Sequence, residues 1–184
     1  MDETLLNAEE RMGKSLSSLK DEFNGVRTGR ASATLFDKIK VDYYGSPTPL
    51  NQVATISTPE ARLVVIQPWD KGVLSEIEKA LYKSELSVNP NNDGKVIRIN
   101  IPPLTEERRK DLVKHVKNIA EQSRVAVRNI RRDANDELKK MLKNSDITED
   151  DEKRGSEEIQ KLTDKYVKDI NTLLEEKEKE ILEI

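Results

Sequence analysis

At 184 residues the chain can hold one ordinary domain or two small ones. Hydrophobic residues make up 35% and charged residues 36%, a balance that suits long helices with narrow apolar stripes better than a thick globular core. There is no cysteine, which excludes disulfides and thiolate metal sites, and no run approaches the roughly 20 apolar residues that a membrane-spanning helix needs.

The formal net charge is −3, but it is unevenly placed. Residues 106–132 carry nine Lys/Arg against four acids, whereas residues 146–184 carry seven against fourteen. Such asymmetry says more about a partner than the total does. The opening Met-Asp-Glu-Thr-Leu-Leu is acidic and lacks a long apolar run, so no signal peptide is expected. The chain is expected to be soluble and cytoplasmic.

Residues 2–27 read as a helix. Leu5, Ala8, Met12, Leu16, Leu19, Phe23 and Val26 recur at three- and four-residue steps, and Gly29 stands where a left-handed cap is expected. The period then changes. Ile39, Val41 and Tyr43 alternate as in a strand, Gly45 to Pro49 is turn chemistry, and residues 53–57 alternate again. Arg62 to Gln67 is a short, nearly continuous apolar run expected to be a buried strand. Residues 73–83 read as a short helix, 89–94 as a loop or turn, and 96–101 as a last strand. Trp69, Tyr43 and Tyr44 are expected to pack this small unit.

Helix resumes at Thr105, a candidate cap, with Glu106 and Glu107 placed against the helix dipole. Apolar or small positions follow at 116, 119, 123, 127, 130, 134, 138 and 141. Their spacing is an eleven-residue repeat, with a period of about 3.67 that implies a nearly straight helix. Asn144-Ser145-Asp146 breaks it. Thr148 can cap a third long helix, whose stripe is Ile159, Leu162, Tyr166, Ile170, Leu173 and Leu174. The expected class is α+β: an elongated three-helix bundle from residues 1–29 and 106–184, with a small β/α/β domain inserted at 31–104. Two crossings, at 28–32 and 101–105, permit a hinge. Pro102 and Pro103 stiffen one and Gly29 relaxes the other.

At 100° per residue, with Val127 as the core direction, Arg131 lies near about 40°, Arg124 near 60°, Lys117 near 80°, and Lys110 and Arg128 near 100°. Arg132 and Lys114 lie further round. Guanidinium forks match phosphate geometry, and a row of them along a straight rod can follow a nucleic-acid backbone. The plainer reading is a solvated face paired with the acidic third helix. His115, the one histidine, has no Cys or Ser partner and reads as a surface residue; no metal site can be assembled around it. Gly-rich phosphate loops and nucleophile elbows are absent. Aromatics at 4% are too few for a base-stacking platform. Backbone and shape are the features such a protein would recognise.

The segments Val26-Arg27-Thr28-Gly29-Arg30-Ala31-Ser32, Tyr43-Tyr44-Gly45-Ser46-Pro47-Thr48-Pro49-Leu50, Pro102-Pro103-Leu104-Thr105-Glu106-Glu107-Arg108-Arg109 and Val125-Ala126-Val127-Arg128-Asn129-Ile130-Arg131-Arg132-Asp133 resemble the bacterial ribosome recycling factor family. Ile147 to Asp151 fits as well, and the resemblance spans essentially the whole chain. It implies an L-shaped, two-domain, non-enzymatic translation factor that works as a monomer without cofactor or metal. The implied partners are the 70S ribosome, through 23S rRNA of the large subunit, and elongation factor G with GTP. The implied act is splitting the post-termination complex into subunits after translation termination. By that likeness Arg109, Arg128 and Arg131 are the main bundle contacts to rRNA, supported by Arg27 and Arg132 beside the stripe residues Lys110, Lys117 and Arg124. The hinge would comprise Thr28, Gly29, Arg30, Ala31 and Ser32 with Pro102, Pro103, Leu104 and Thr105. A rival from another class is a helical scaffold that binds no ribosome.

Overall fold

A computed structural model describes residues 1–183. In chain order its elements are α1 (Asp2–Gly25), β1 (Lys40–Tyr43), β2 (Ser46–Pro49), β3 (Ala54–Glu60), β4 (Leu63–Pro68), α2 (Leu74–Lys83), β5 (Pro90–Asn92), β6 (Ile97–Asn100), α3 (Glu106–Lys143) and α4 (Glu149–Leu182). The chain divides into two compact units, one from Met1–Arg27 with Glu106–Glu183 and the other from Thr28–Thr105. The fold is α+β.

The first unit is a bundle of α1, α3 and α4, each packed on both others. Ala8, Met12, Leu19 and Phe23 of α1, Val116, Ala120, Val127 and Leu138 of α3, and Ile159 and Ile170 of α4 are all buried. Burying each large aliphatic side chain contributes about 1.5–3 kcal/mol, so these stripes dominate the bundle's stability. The eleven-residue spacing on α3 holds from Val116 to Leu138. Its last member, Met141, is half-buried, with its sulfur 3.9 Å from the amine of Met1 and 3.9 Å from the Thr4 hydroxyl. At 38 residues, α3 runs about 57 Å.

α4 starts on a capping box. The Thr148 hydroxyl accepts from the Asp151 amide at 3.1 Å, and the Asp151 carboxylate accepts from the Thr148 amide at 3.2 Å. The Thr148 hydroxyl, then its amide, then the Arg154 guanidinium hold the Asp151 carboxyl below its ordinary value of 3.8. A depressed carboxylate stabilises the fold above that value, and the support is lost as pH falls through the lower folded value. Thr148→Ala therefore costs about 1 kcal/mol in urea unfolding at neutral pH, and the deficit shrinks in strong acid. An unchanged midpoint would show that the cap contributes nothing. Gly155 sits where α4 meets α3: a Cβ there would lie 2.8 Å from Cδ1 of Leu138, which is fully buried.

In the second unit β1 and β2 form an antiparallel ribbon closed by Tyr44 and Gly45, whose φ values of 50° and 89° are those of a type I′ turn. A four-stranded antiparallel sheet follows in the order β3-β4-β6-β5. Phe36, Val41, Leu50, Val64, Ile66, Ile77, Leu81, Ile97 and Ile99 make its core, with α2 packed against β1 and β5.

Four local expectations are corrected. Residues 46–49 are strand β2 rather than turn. The tight turn is Tyr44-Gly45, and register alternation puts Pro47 and Pro49 opposite Asp42 and Lys40 at the pairs that exchange no backbone bonds. Residues 90–92 form edge strand β5 instead of a loop. α1 ends at Gly25 with Val26 extended as its cap, so Gly29 is not that cap. Its φ of +78° serves another need, because a Cβ there would lie 2.8 Å from Cγ of Leu104. Last, the aromatics do not fill the core: Tyr44 is 73% and Trp69 67% exposed, and Tyr43 is exposed too. Two of these rings are pinned by their polar handles, Tyr44 to Asp70 at 2.5 Å and Trp69 to Thr55 at 2.9 Å.

Candidate nucleic-acid interface

The apolar spacing of α3 fixes which side chains flank its buried face, and the cationic row falls along the seam with α4. Arg124 donates to Asn171 of α4 at 2.8 Å and to Glu121 at 2.8 Å, and its side chain is only 18% exposed. Arg131 reaches Gln160 of α4 at 3.4 Å. Lys117 pairs with Glu178 of α4 at 3.3 Å. Further out, Arg128 touches Glu121 at 3.3 Å with 45% of its side chain exposed, and Lys110 pairs with Glu106 at 2.7 Å. Arg132 is exposed and has no hydrogen bond or ion pair among the described residues.

The electrostatics follow from this layout. Arg124 first, and Arg128 after it, hold the Glu121 carboxyl below the usual carboxylate value. Exposed pairs of this kind are worth about 0–1 kcal/mol, so they hold these side chains only loosely. Arg128, Lys110 and Lys117 can therefore exchange carboxylate for phosphate. Arg124 is different: half-buried between helices and held by Asn171, it is part of the bundle's own packing. Arg109 is half-buried and donates to the Leu182 carbonyl at 3.4 Å, against the last turn of α4. Arg27 is exposed just past the end of α1. The seam partners Gln160 and Asn171 escaped the sequence reading. Their only signal was polar character beside the apolar stripe of α4.

The segments on either side of the second unit fasten to one place. The Ala31 amide donates to the Ala61 carbonyl at 2.7 Å, and the Ile101 amide donates to the Arg62 carbonyl at 2.8 Å. Ala61 and Arg62 are adjacent residues between β3 and β4. Thr28 is buried, Gly29 abuts Leu104, and Ser32 caps a short 3-10 turn at Ala33–Phe36. Arg30, Pro102 and Pro103 are exposed. Among the described residues no cluster of three or more His, Asp or Glu is placed to hold a metal ion, and no helix is long and apolar enough to cross a membrane.

The family model described as ribosome recycling factor matches residues 19–182. The chain belongs to the ribosome recycling factor family. It is 63% identical over 183 residues to the ribosome-recycling factor of Treponema denticola, covering 100% of this chain and 99% of that one. Against the ribosome-recycling factor of Caldicellulosiruptor bescii it is 59% identical over 184 residues, with full coverage of both. Among solved structures, a solution structure of the ribosome recycling factor superposes with a TM-score of 0.73 at 47% identity, covering 100% of this chain and 97% of that one. A second match has a TM-score of 0.63 at 50% identity and covers 98% of each chain. It belongs to models for the T. thermophilus ribosome recycling factor and the E. coli elongation factor G bound to the E. coli post-termination complex. The resemblance carried by residues 26–32, 43–50, 102–109 and 125–133 is thereby borne out. Ribosome recycling, a step of protein biosynthesis, is the family's process.

Proposed function

We propose that this chain is a non-enzymatic translation factor of the cytoplasm. It binds the post-termination ribosome as a monomer and, with elongation factor G and GTP, splits it into subunits and frees it from messenger RNA. Family membership supports the process, and the cationic stripe of α3 supports the mode of binding. Arg128, Arg131 and Arg132, with Lys110 and Lys117, grip phosphates of 23S rRNA. Arg27 and Arg109 add contacts nearer the crossings, and Arg124 sets the α3–α4 seam that holds the row straight. GTP hydrolysis belongs to the partner.

The bundle, residues 1–29 and 106–184, is the anchor and the inserted domain, 31–104, is the moving part. The pivot is proposed to lie on the bundle side of Ala31 and Ile101, because these two are bonded into the β3–β4 turn and Ser32 caps the turn that follows.

Conversion of puromycin-treated polysomes to subunits by the chain with elongation factor G and GTP tests the reading. Binding is expected to weaken steeply as salt rises, since phosphate contacts release counterions. Failure to convert polysomes, together with no co-sedimentation with ribosomes, would leave the helical scaffold as the better account.

A further inference from the structure

On the side of α3 away from the stripe, the end of α1 and the first half of α3 enclose an open groove of about 750 Å³. That volume lies within the range of small-ligand sites, about 300–1,000 Å³. Arg27 stands at one edge and Arg108 and His115 line the wall. Neither Arg27 nor His115 has a hydrogen bond or ion pair among the described residues. Leu112 and Ile119, both buried, give an apolar floor. Asn118 and Gln122 share the wall one turn further on. Glu22 is the one acid lining the groove.

We propose that this groove is a nucleotide subsite. Arg27, with Arg108, takes the phosphate, for which a guanidinium fork is matched. The base lies over Leu112 and Ile119 and stacks on the planar imidazole of His115, as unstacked RNA bases do on His and Arg planes. Asn118 and Gln122 present the donor–acceptor amide pair that reads a base edge, adenine best of all. Glu22 at the rim disfavours a second phosphate beside the first, which suits a single nucleotide better than a triphosphate. The inference rests on reading α3 as an RNA-binding helix and gives that helix a second, base-contacting face.

His115 is the one histidine of the chain, so its imidazole C–H resonances report on the groove alone. The test titrates the full chain, without ribosomes, against single-stranded oligoadenylate, adenosine monophosphate and inorganic phosphate. Oligoadenylate or adenosine monophosphate is expected to move the His115 signals saturably, with inorganic phosphate at least tenfold weaker. Tighter binding of the oligomer assigns the site to RNA, and equal binding to a free nucleotide. Arg27→Ala weakens the response to adenosine monophosphate about tenfold, whereas Lys153→Ala, at an exposed position on α4, leaves it unchanged. Static His115 signals overturn the proposal, as does inorganic phosphate matching the nucleotides or indifference to Arg27→Ala. The phosphate stripe, read by ribosome binding, would survive each of those results.

Discussion

The double variant Arg128→Ala/Arg131→Ala lowers subunit splitting about 100-fold at limiting factor, with helicity unchanged. On the proposed function each arginine would supply one charge-assisted phosphate contact, worth about 1.5–3 kcal/mol, or tenfold and more in affinity. Neither is needed by the fold. Among the described residues Arg128, 45% exposed, bonds only to Glu121, at 3.3 Å, and Arg131 only to Gln160, at a long 3.4 Å. Alanine is the better helix former at both positions. The salt dependence of ribosome binding should lose about two units of slope, one for each contact removed. Arg124→Ala provides the contrast: it removes the bond to Asn171 from a side chain only 18% exposed, so it shows first as lost thermal stability. A double variant as active as the unaltered chain would remove these two arginines from the interface.

Gly29→Ala destabilises the second unit by about 3 kcal/mol, read as a lower urea midpoint. Two costs combine. The backbone at φ +78° is a left-handed conformation that costs a non-glycine residue about 1–2 kcal/mol. The new methyl would also stand 2.8 Å from Leu104 Cγ, and overpacking costs about 1–3 kcal/mol. Adding Leu104→Ala recovers the steric share and leaves the conformational one. A Gly29→Ala midpoint equal to the original would show that the two segments do not need their close approach.

Much of this architecture was legible because a long helix repeats its signal. Met12, Leu19 and Phe23 on α1, and Val116 through Leu138 on α3, fall on one face for many turns, and burial obeys that face. Thr148 announced α4 because a capping hydroxyl acts locally. The misses have physical causes as well. Pro47 and Pro49 read as turn residues, yet a ribbon strand tolerates proline wherever the amide points outward. Pro90–Asn92 is three residues long, too short for a period to show. The rings of Trp69 and Tyr44 carry the same letters buried or exposed, and their partners Thr55 and Asp70 are 14 and 26 residues away. The cationic row was visible from helical angles. Its division into phosphate-ready and fold-committed members was not, because that depends on Asn171, Gln160 and Leu182 of another helix.

The segments entering and leaving the second unit are stapled to neighbouring carbonyls, Ala61 and Arg62. A lobe whose two ends meet at one dipeptide can be spliced into a host helix pair without stretching it, and can be cut out again. That is the geometry recombination needs to graft a whole fold into a loop. Residues 28–105 made as a separate polypeptide should fold cooperatively, and residues 1–27 rejoined to 106–184 by a short glycine-rich bridge should still form a helical protein.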